Sequence, residues 1–181
     1  MANAFSDNYR FLARYNRWIN QRLYDACDAL PDEERQRDRG AFFGSIHGTL
    51  SHLIVADQVW LKRFVQCGAE HGITFPSLGA DVLDLPEGCP MDRVLFEDWT
   101  GLRAKRAQLD AAIEAWAADL PESFAQLSMR YRNSKGVQRE HPAWQAITHF
   151  FNHQTHHRGQ ATTLLTQAGV EVGVTDLIAL A

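Results

Sequence analysis

Four stretches of this chain repeat apolar residues every three to four positions over twenty or more residues, and that period restricts it to an all-α architecture. The first runs from about Asp7 to Leu30. Phe11, Leu12, Tyr15, Trp18, Ile19 and Leu23 form its stripe, Ser6 is its expected N-cap, and Pro31 stops it. The second runs from about Gly44 to Cys67, with Ile46, Leu50, Leu53, Trp60, Leu61 and Phe64 on one face. Gly44 or Ser45 starts it and Gly68 ends it. The third spans Pro90 to Leu120, carries Val94, Leu95, Trp99, Leu102, Leu109, Ile113 and Trp116, and ends before Pro121. The fourth opens at Pro142, a favoured first-turn residue, and runs to Ala168, where Gly169 stops it. No internal repeat and no strand–helix alternation accompanies these segments, so the expected fold is a four-helix bundle, one domain over residues 1–181.

The connections refine that picture. "PDEERQRDRG" is a charged, solvated link. Residues 68–90 hold four glycines and three prolines and predict a long loop with one short helical turn at most. A link that long suits a crossover between helices two and three that leaves them parallel. Phe124, Leu127, Met129 and Tyr131 alternate with polar residues ahead of the turn signal "NSKG", which predicts a small β-ribbon before helix four. The tail "VEVGVTDLIALA" is expected to dock on the helices without forming a long one.

A net charge of -4 argues against a nucleic-acid partner, whose phosphates need a basic face. The three cysteines, Cys27, Cys67 and Cys89, lie far apart without a CxxC pair, so neither a zinc ribbon nor a disulfide framework is expected. The N-terminus lacks the basic-then-apolar pattern of a secretory signal, and no apolar run is long enough to span a membrane. The expectation is a cytoplasmic enzyme or binding protein.

Four of the eight histidines fall between His149 and His157. On a helix, residues four apart are offset by about 40°, so His149, His153 and His157 form a slowly drifting line. An HxxxH pair presents two imidazole nitrogens to one cation, and a stable site needs a third ligand from elsewhere. His156 lies about 100° from His157, on the flank. The second helix offers His47 and His52. His52 shares a stripe with Thr49, Val55, Ala56 and Val59, small enough for a helix, a metal and a substrate to approach. His47 lies beside Leu50, Ser51 and Ile54, as a packed histidine or a supporting donor. The candidate metal site is therefore His52, His153 and His157, an open three-nitrogen set for Zn²⁺ or Ni²⁺ first, with Fe, Mn or Cu also compatible. The competing possibility is a solvated polar patch that binds nothing.

Several neighbours carry two readings each. Asp57 and Arg158 are candidates for an ion pair, supporting the site or simply bridging helices two and four. Gln160 either bonds a metal-bound water or packs the helix. Asn16 and Asn20 face the cavity or tie helices together. No cysteine has a partner base, which argues against a thiol nucleophile.

The segments "YNRWINQRLYDAC", "SIHGTLSHL", "SHLIVADQVWLKRF" and "HFFNHQTHHRGQATTLL" resemble the DinB family, the DinB/YfiT-like proteins, across nearly the whole chain. The HxxxHRGQ element is its most specific part. The resemblance implies an up-up-down-down four-helix bundle and often a homodimer. It implies a metal triad of one histidine from helix two and two from the HxxxH of helix four, by position His52, His153 and His157. It also implies relatives that transfer low-molecular-weight thiols such as bacillithiol, or that are mycothiol-dependent isomerases. No carboxylate stands out as a general base, since Asp57 is turned about 140° from His52. A thiol S-transferase-like reaction on a small molecule is therefore favoured slightly over hydrolysis, with a non-catalytic metal-binding or stress-response module as the alternative.

Overall fold

A computed structural model describes residues 4–180, so residues 1–3 and 181 of the expected domain lie outside the described residues. The chain is mostly helical with one small antiparallel sheet. Its elements are α1 (Ala4–Cys27), α2 (Asp32–Gln36), α3 (Ile46–Glu70), α4 (Trp99–Asp119), α5 (Glu122–Ala125), β1 (Ser128–Arg132), β2 (Gln138–Pro142) and α6 (Ala143–Gln167). No helix among the described residues is long and apolar enough to cross a membrane.

α1 starts ahead of Ser6, which is not its cap. The Ser6 hydroxyl instead donates to the Leu120 carbonyl at 3.3 Å, tying α1 to the end of α4. The buried line of α1 is Tyr9, Ala13, Ile19, Leu23, Tyr24 and Cys27, while Phe11 and Trp18 of the expected stripe stay half-exposed. The charged link contains the short α2, too brief to show a period. Its Arg35 folds back to donate to the carbonyls of Cys27 and Leu30, placing a cation at the C-terminal end of α1.

α3 begins where expected. The Ser45 hydroxyl accepts from the Gly48 amide at 3.0 Å as an N-cap. It runs past Gly68, whose missing Cβ matters: a Cβ there would lie 2.8 Å from the Ile73 carbonyl and 2.9 Å from the Phe75 ring. The crossover extends from 71 to 98 with a 3-10 turn at Pro76–Leu78, and Phe75, Leu78, Val82, Leu83 and Leu85 pin it to the core.

The third helix begins at Trp99, nine residues later than the expected start at Pro90, with Asp98 accepting from the Gly101 amide at 2.7 Å. Residues 90–98 stay irregular because their carbonyls serve another purpose: Met91 and Phe96 each accept an imidazole N–H, from His52 and His47. The expected ribbon is present, with Met129 opposite His141 and Tyr131 opposite Arg139. α6 follows directly, and the tail docks on α1 through the Tyr15 hydroxyl, which donates to Thr175 O at 2.5 Å.

Residue pairings set the helix directions. Ser6 meets Leu120 while Arg17 meets Glu114, so α1 and α4 are antiparallel. His52 meets His157 while Trp60 meets His149, so α3 and α6 are antiparallel. Asp57 meets Arg106 and Phe64 meets Trp116, so α3 and α4 are parallel, as the long crossover requires. Tyr9 meets Trp144 while Asn16 meets Arg158, so α1 and α6 are parallel. The sense is up-down-down-up rather than the expected up-up-down-down, because the link at 28–45 turns the chain back on itself before the crossover. Phe64 stacks on Trp116 with Phe150, Phe124 and Phe75 edge-on around them, filling one end of the core. The histidines lie nearer the other end, where α3 begins.

Candidate metal centre

The His52, His153 and His157 side chains converge, each offering a nitrogen within 4.8 Å of the others. Ring centroids are 5.3 Å apart for His52–His153, 4.5 Å for His52–His157 and 4.3 Å for His153–His157. The HxxxH spacing stacks two rings on one face of α6, and the antiparallel packing of α3 brings the third.

Outer hydrogen bonds decide which nitrogens face inward. His52 Nδ1 lies 2.8 Å from the Met91 carbonyl, which can only accept, so Nδ1 carries the proton. His52 Nε2 is then a bare lone pair, and it is buried with no partner among the described residues. His157 Nδ1 donates to Gln160 Oε1 at 2.7 Å, which leaves its Nε2 bare as well. That atom lies 3.1 Å from His153 Nε2. With His157 Nε2 bare, His153 Nε2 is the N–H donor of that contact, and a shift of its proton to Nδ1 turns all three nitrogens into ligands aimed at one point, a set a cation satisfies; the buried orphan acceptor on His52 is costly without one. Imidazole suits Zn²⁺, Ni²⁺, Cu²⁺ and Fe²⁺.

Electrostatics keep the rings in the ligating form. Burial lowers the His52 pKa. Burial, followed by the neighbouring His157 and His52, pushes His153 down to about 3. Burial also brings His157 down to about 4, against the Gln160 bond that opposes it. All three are neutral near pH 7.

The other candidates separate cleanly. His47 is buried away from the cluster, and its Nε2–H donates to the Phe96 carbonyl at 2.8 Å, a packing role. His149 is exposed against Trp60, with its ring 5.7 Å from that of His153. His156 is exposed, edge-on to His157. Gln160 bonds an imidazole nitrogen, fixing a ligand's orientation.

Asp57 does not pair with Arg158. Its carboxylate accepts from Arg106 at 2.6 Å and from Gln154 at 2.9 Å. Arg158 donates to Asn16 and Asn20, whose amides donate to Asp110 at 3.0 and 2.9 Å. The asparagines therefore tie helices. Burial pushes Asp110 up to about 6 despite Arg106 beside it, and burial lowers Arg158 to about 10. This buried network of two arginines and two carboxylates adjoins the cluster, since Asp57 bears on His52 and its partner Gln154 follows His153 in α6.

Sequence reasoning missed Arg106, Asp110, Gln154 and Phe43. The first two sit four apart inside an apolar stripe, a polar interruption that signals a buried partner. Phe43 gave no signal, because it lies in the turn before α3. Its ring stacks on His52 at 3.9 Å and meets His157 edge-on at 5.5 Å. Gly44, at φ 73°, allows the turn that places it.

The family model described as "DinB family" matches residues 3–181. A protein of Bacillus subtilis (strain 168) named Protein DinB is similar, 28% identical over 182 residues that cover 91% of this chain and 88% of that relative. No solved structure shows significant similarity.

Proposed function

The chain belongs to the DinB family, and from that premise we propose that His52, His153 and His157 hold one divalent ion, Zn²⁺ or Ni²⁺ first, in a metal-dependent enzyme of small molecules. Fe, Mn and Cu are compatible with the same nitrogens. The observation that carries the proposal is the inward-facing His52 Nε2, bare and unpartnered, with its tautomer fixed by Met91. His52, His153 and His157 would hold the ion, which would supply Lewis acidity.

The chain's own residues do the rest. Met91 and Gln160 orient two of the three rings. Phe43 lies flat on the His52 ring and edge-on to that of His157, shielding those two from water. Asp57 is held by Arg106 and Gln154, so it is committed to the buried network rather than to a solvent proton. A transfer reaction of the thiol S-transferase type is therefore favoured over a hydrolysis assisted by Asp57, while the exposed Asp92, next to Met91 and acting on His52, is the carboxylate a base-assisted route would use. The low-molecular-weight thiol as donor, the homodimer, the single domain and the cytoplasmic location are carried by the family resemblance and the composition.

A second reading has one observation in its favour. The Phe43 ring lies so close on His52 that the site is closed on that side, as in a non-catalytic metal-binding module. Both are tested by titrating metal into protein purified without a histidine tag. One equivalent of Zn²⁺ or Ni²⁺ per chain, lost in His153→Ala, is expected. Turnover of electrophiles with small thiols, present only in the metal-loaded protein, then separates enzyme from module. No binding, or binding unchanged in His153→Ala, overturns both.

A further inference from the structure

A cavity of about 230 Å³ lies beside the cluster, between α3, α6 and the ribbon, lined by Trp60, Tyr131, His141, Gln145, Ala146 and His149. His149 is its shared wall with the metal centre: its ring is 5.0 Å from Trp60 and 5.7 Å from His153. Four of the six lining residues are flat rings. Trp60 and Tyr131 meet edge-on at 5.2 Å, and His141 lies 5.9 Å from Tyr131. A dry apolar cavity of about 150 Å³ takes a benzene ring, so this one has room for a ring and a small substituent.

The charge around it is positive although the chain as a whole is acidic. Arg63 lies over Trp60 at 4.7 Å and over Tyr131 at 4.4 Å. It donates to the Arg132 carbonyl and forms no ion pair among the described residues. The ribbon brings Arg130, Arg132, Lys135 and Arg139 against two carboxylates, Glu140, which pairs with Arg130, and Glu70 of α3. Among the described residues no acidic side chain lines the cavity, and His141, His149 and Gln145 supply N–H donors at its mouth.

We propose that this cavity is the subsite for the substrate's aromatic carboxylate portion, lying against the ring cluster of Trp60, Tyr131 and His149 in the positive field of Arg63 and the ribbon. Stacking on flat rings selects a planar group, and an unneutralised guanidinium selects a negative one. Delivery of that substrate to His52, His153 and His157 rests on the metal reading above; the binding of an aromatic carboxylate does not.

Benzoate is the probe, with cyclohexanecarboxylate and benzyl alcohol as controls, titrated into the full chain with and without Zn²⁺ while the Trp60 indole N–H is followed by NMR. Benzoate is expected to bind metal-free protein roughly tenfold tighter than either control, the worth of one aromatic stack or one compensated charge. Gln145→Trp fills the cavity from its exposed rim and is expected to abolish binding with the fold intact. Arg63→Met is expected to erase the preference over benzyl alcohol, and it remains informative if the tryptophan variant misfolds. Benzoate that leaves Trp60 unmoved, binds no better than cyclohexanecarboxylate, or binds only with Zn²⁺ and equally in Gln145→Trp overturns the proposal. Benzoate binding without any Zn²⁺ binding leaves the subsite standing and removes the metal centre; the reverse removes the subsite alone.

Discussion

Gln160→Ala isolates what the outer hydrogen bond contributes to the metal centre. Gln160 Oε1 holds the proton of His157 on Nδ1 at 2.7 Å and so keeps Nε2 free. Without it the ring can carry its proton on Nε2, and it loses its orientation. Outer-sphere partners of this kind are worth about 10- to 100-fold in metal affinity, or ~1.4–2.7 kcal/mol. Gln160 is half-exposed, and water can replace part of the bond, so the lower end is expected, about tenfold. The assay is competition calorimetry for Zn²⁺ against a chelator of known affinity, on tag-free protein. His156→Ala, on the exposed flank, should change affinity less than about twofold. Thermal stability of the metal-free protein should fall by no more than about 1 kcal/mol, since buried His157 loses a hydrogen bond that water at the half-exposed Gln160 position partly replaces. Unchanged affinity in Gln160→Ala, or an equal loss in His156→Ala, would refute the assigned tautomer and with it the inward lone pair.

Three further outcomes follow from the same geometry. Asp57 is 1% exposed and pairs with buried Arg106, which keeps Asp110 as a second partner, so Asp57→Ala should cost about 2–4 kcal/mol in urea unfolding by removing one of the two carboxylates on that guanidinium and the acceptor of Gln154; a cost under ~1 kcal/mol would contradict the network. His153, brought from 6.5 to about 3, binds protons more weakly folded than unfolded, so its contribution to metal-free stability is present above about pH 6.5 and lost as pH falls towards 3. Asp110, raised to about 6, acts in the opposite sense, so the diagnostic is the wild-type curve minus that of His153→Gln, and a flat difference between pH 6 and 4 would count against the half-buried, neutral His153 ring. Phe43→Ala should speed chelator stripping of bound metal several-fold while costing only about 0.5–1.5 kcal/mol of stability, read by stopped-flow and denaturation; unchanged stripping would mean that Phe43 covers nothing.

The sequence carried the parts of this molecule that repeat. The four long helices were legible because Leu50, Leu53, Leu61 and Phe64, or Leu102, Leu109, Ile113 and Trp116, recur at helical spacing. His153 and His157 were legible for the same reason, and His52 from the small residues beside it. Residues 90–98 were misread because Val94 and Leu95 suggest a turn of helix, whereas their backbone carbonyls are taken by His52 and His47 from another element. No local pattern records a partner 39 or 49 residues away. The pairing expected of Asp57 with Arg158 fails for a related reason: both sit on buried faces, and only the packing of α1 and α4 decides that Asn16 and Asn20 reach Arg158 while Arg106 reaches Asp57. Helix direction failed because periodicity has no sign.

The central claim is that three neutral imidazoles share one ion. Anomalous diffraction at the zinc edge, from crystals of tag-free protein grown with one equivalent of Zn²⁺, tests it most directly. A single peak per chain between His52 Nε2, His153 Nε2 and His157 Nε2 is expected. A peak elsewhere, such as between His141 and His149, or none at all, would contradict the account.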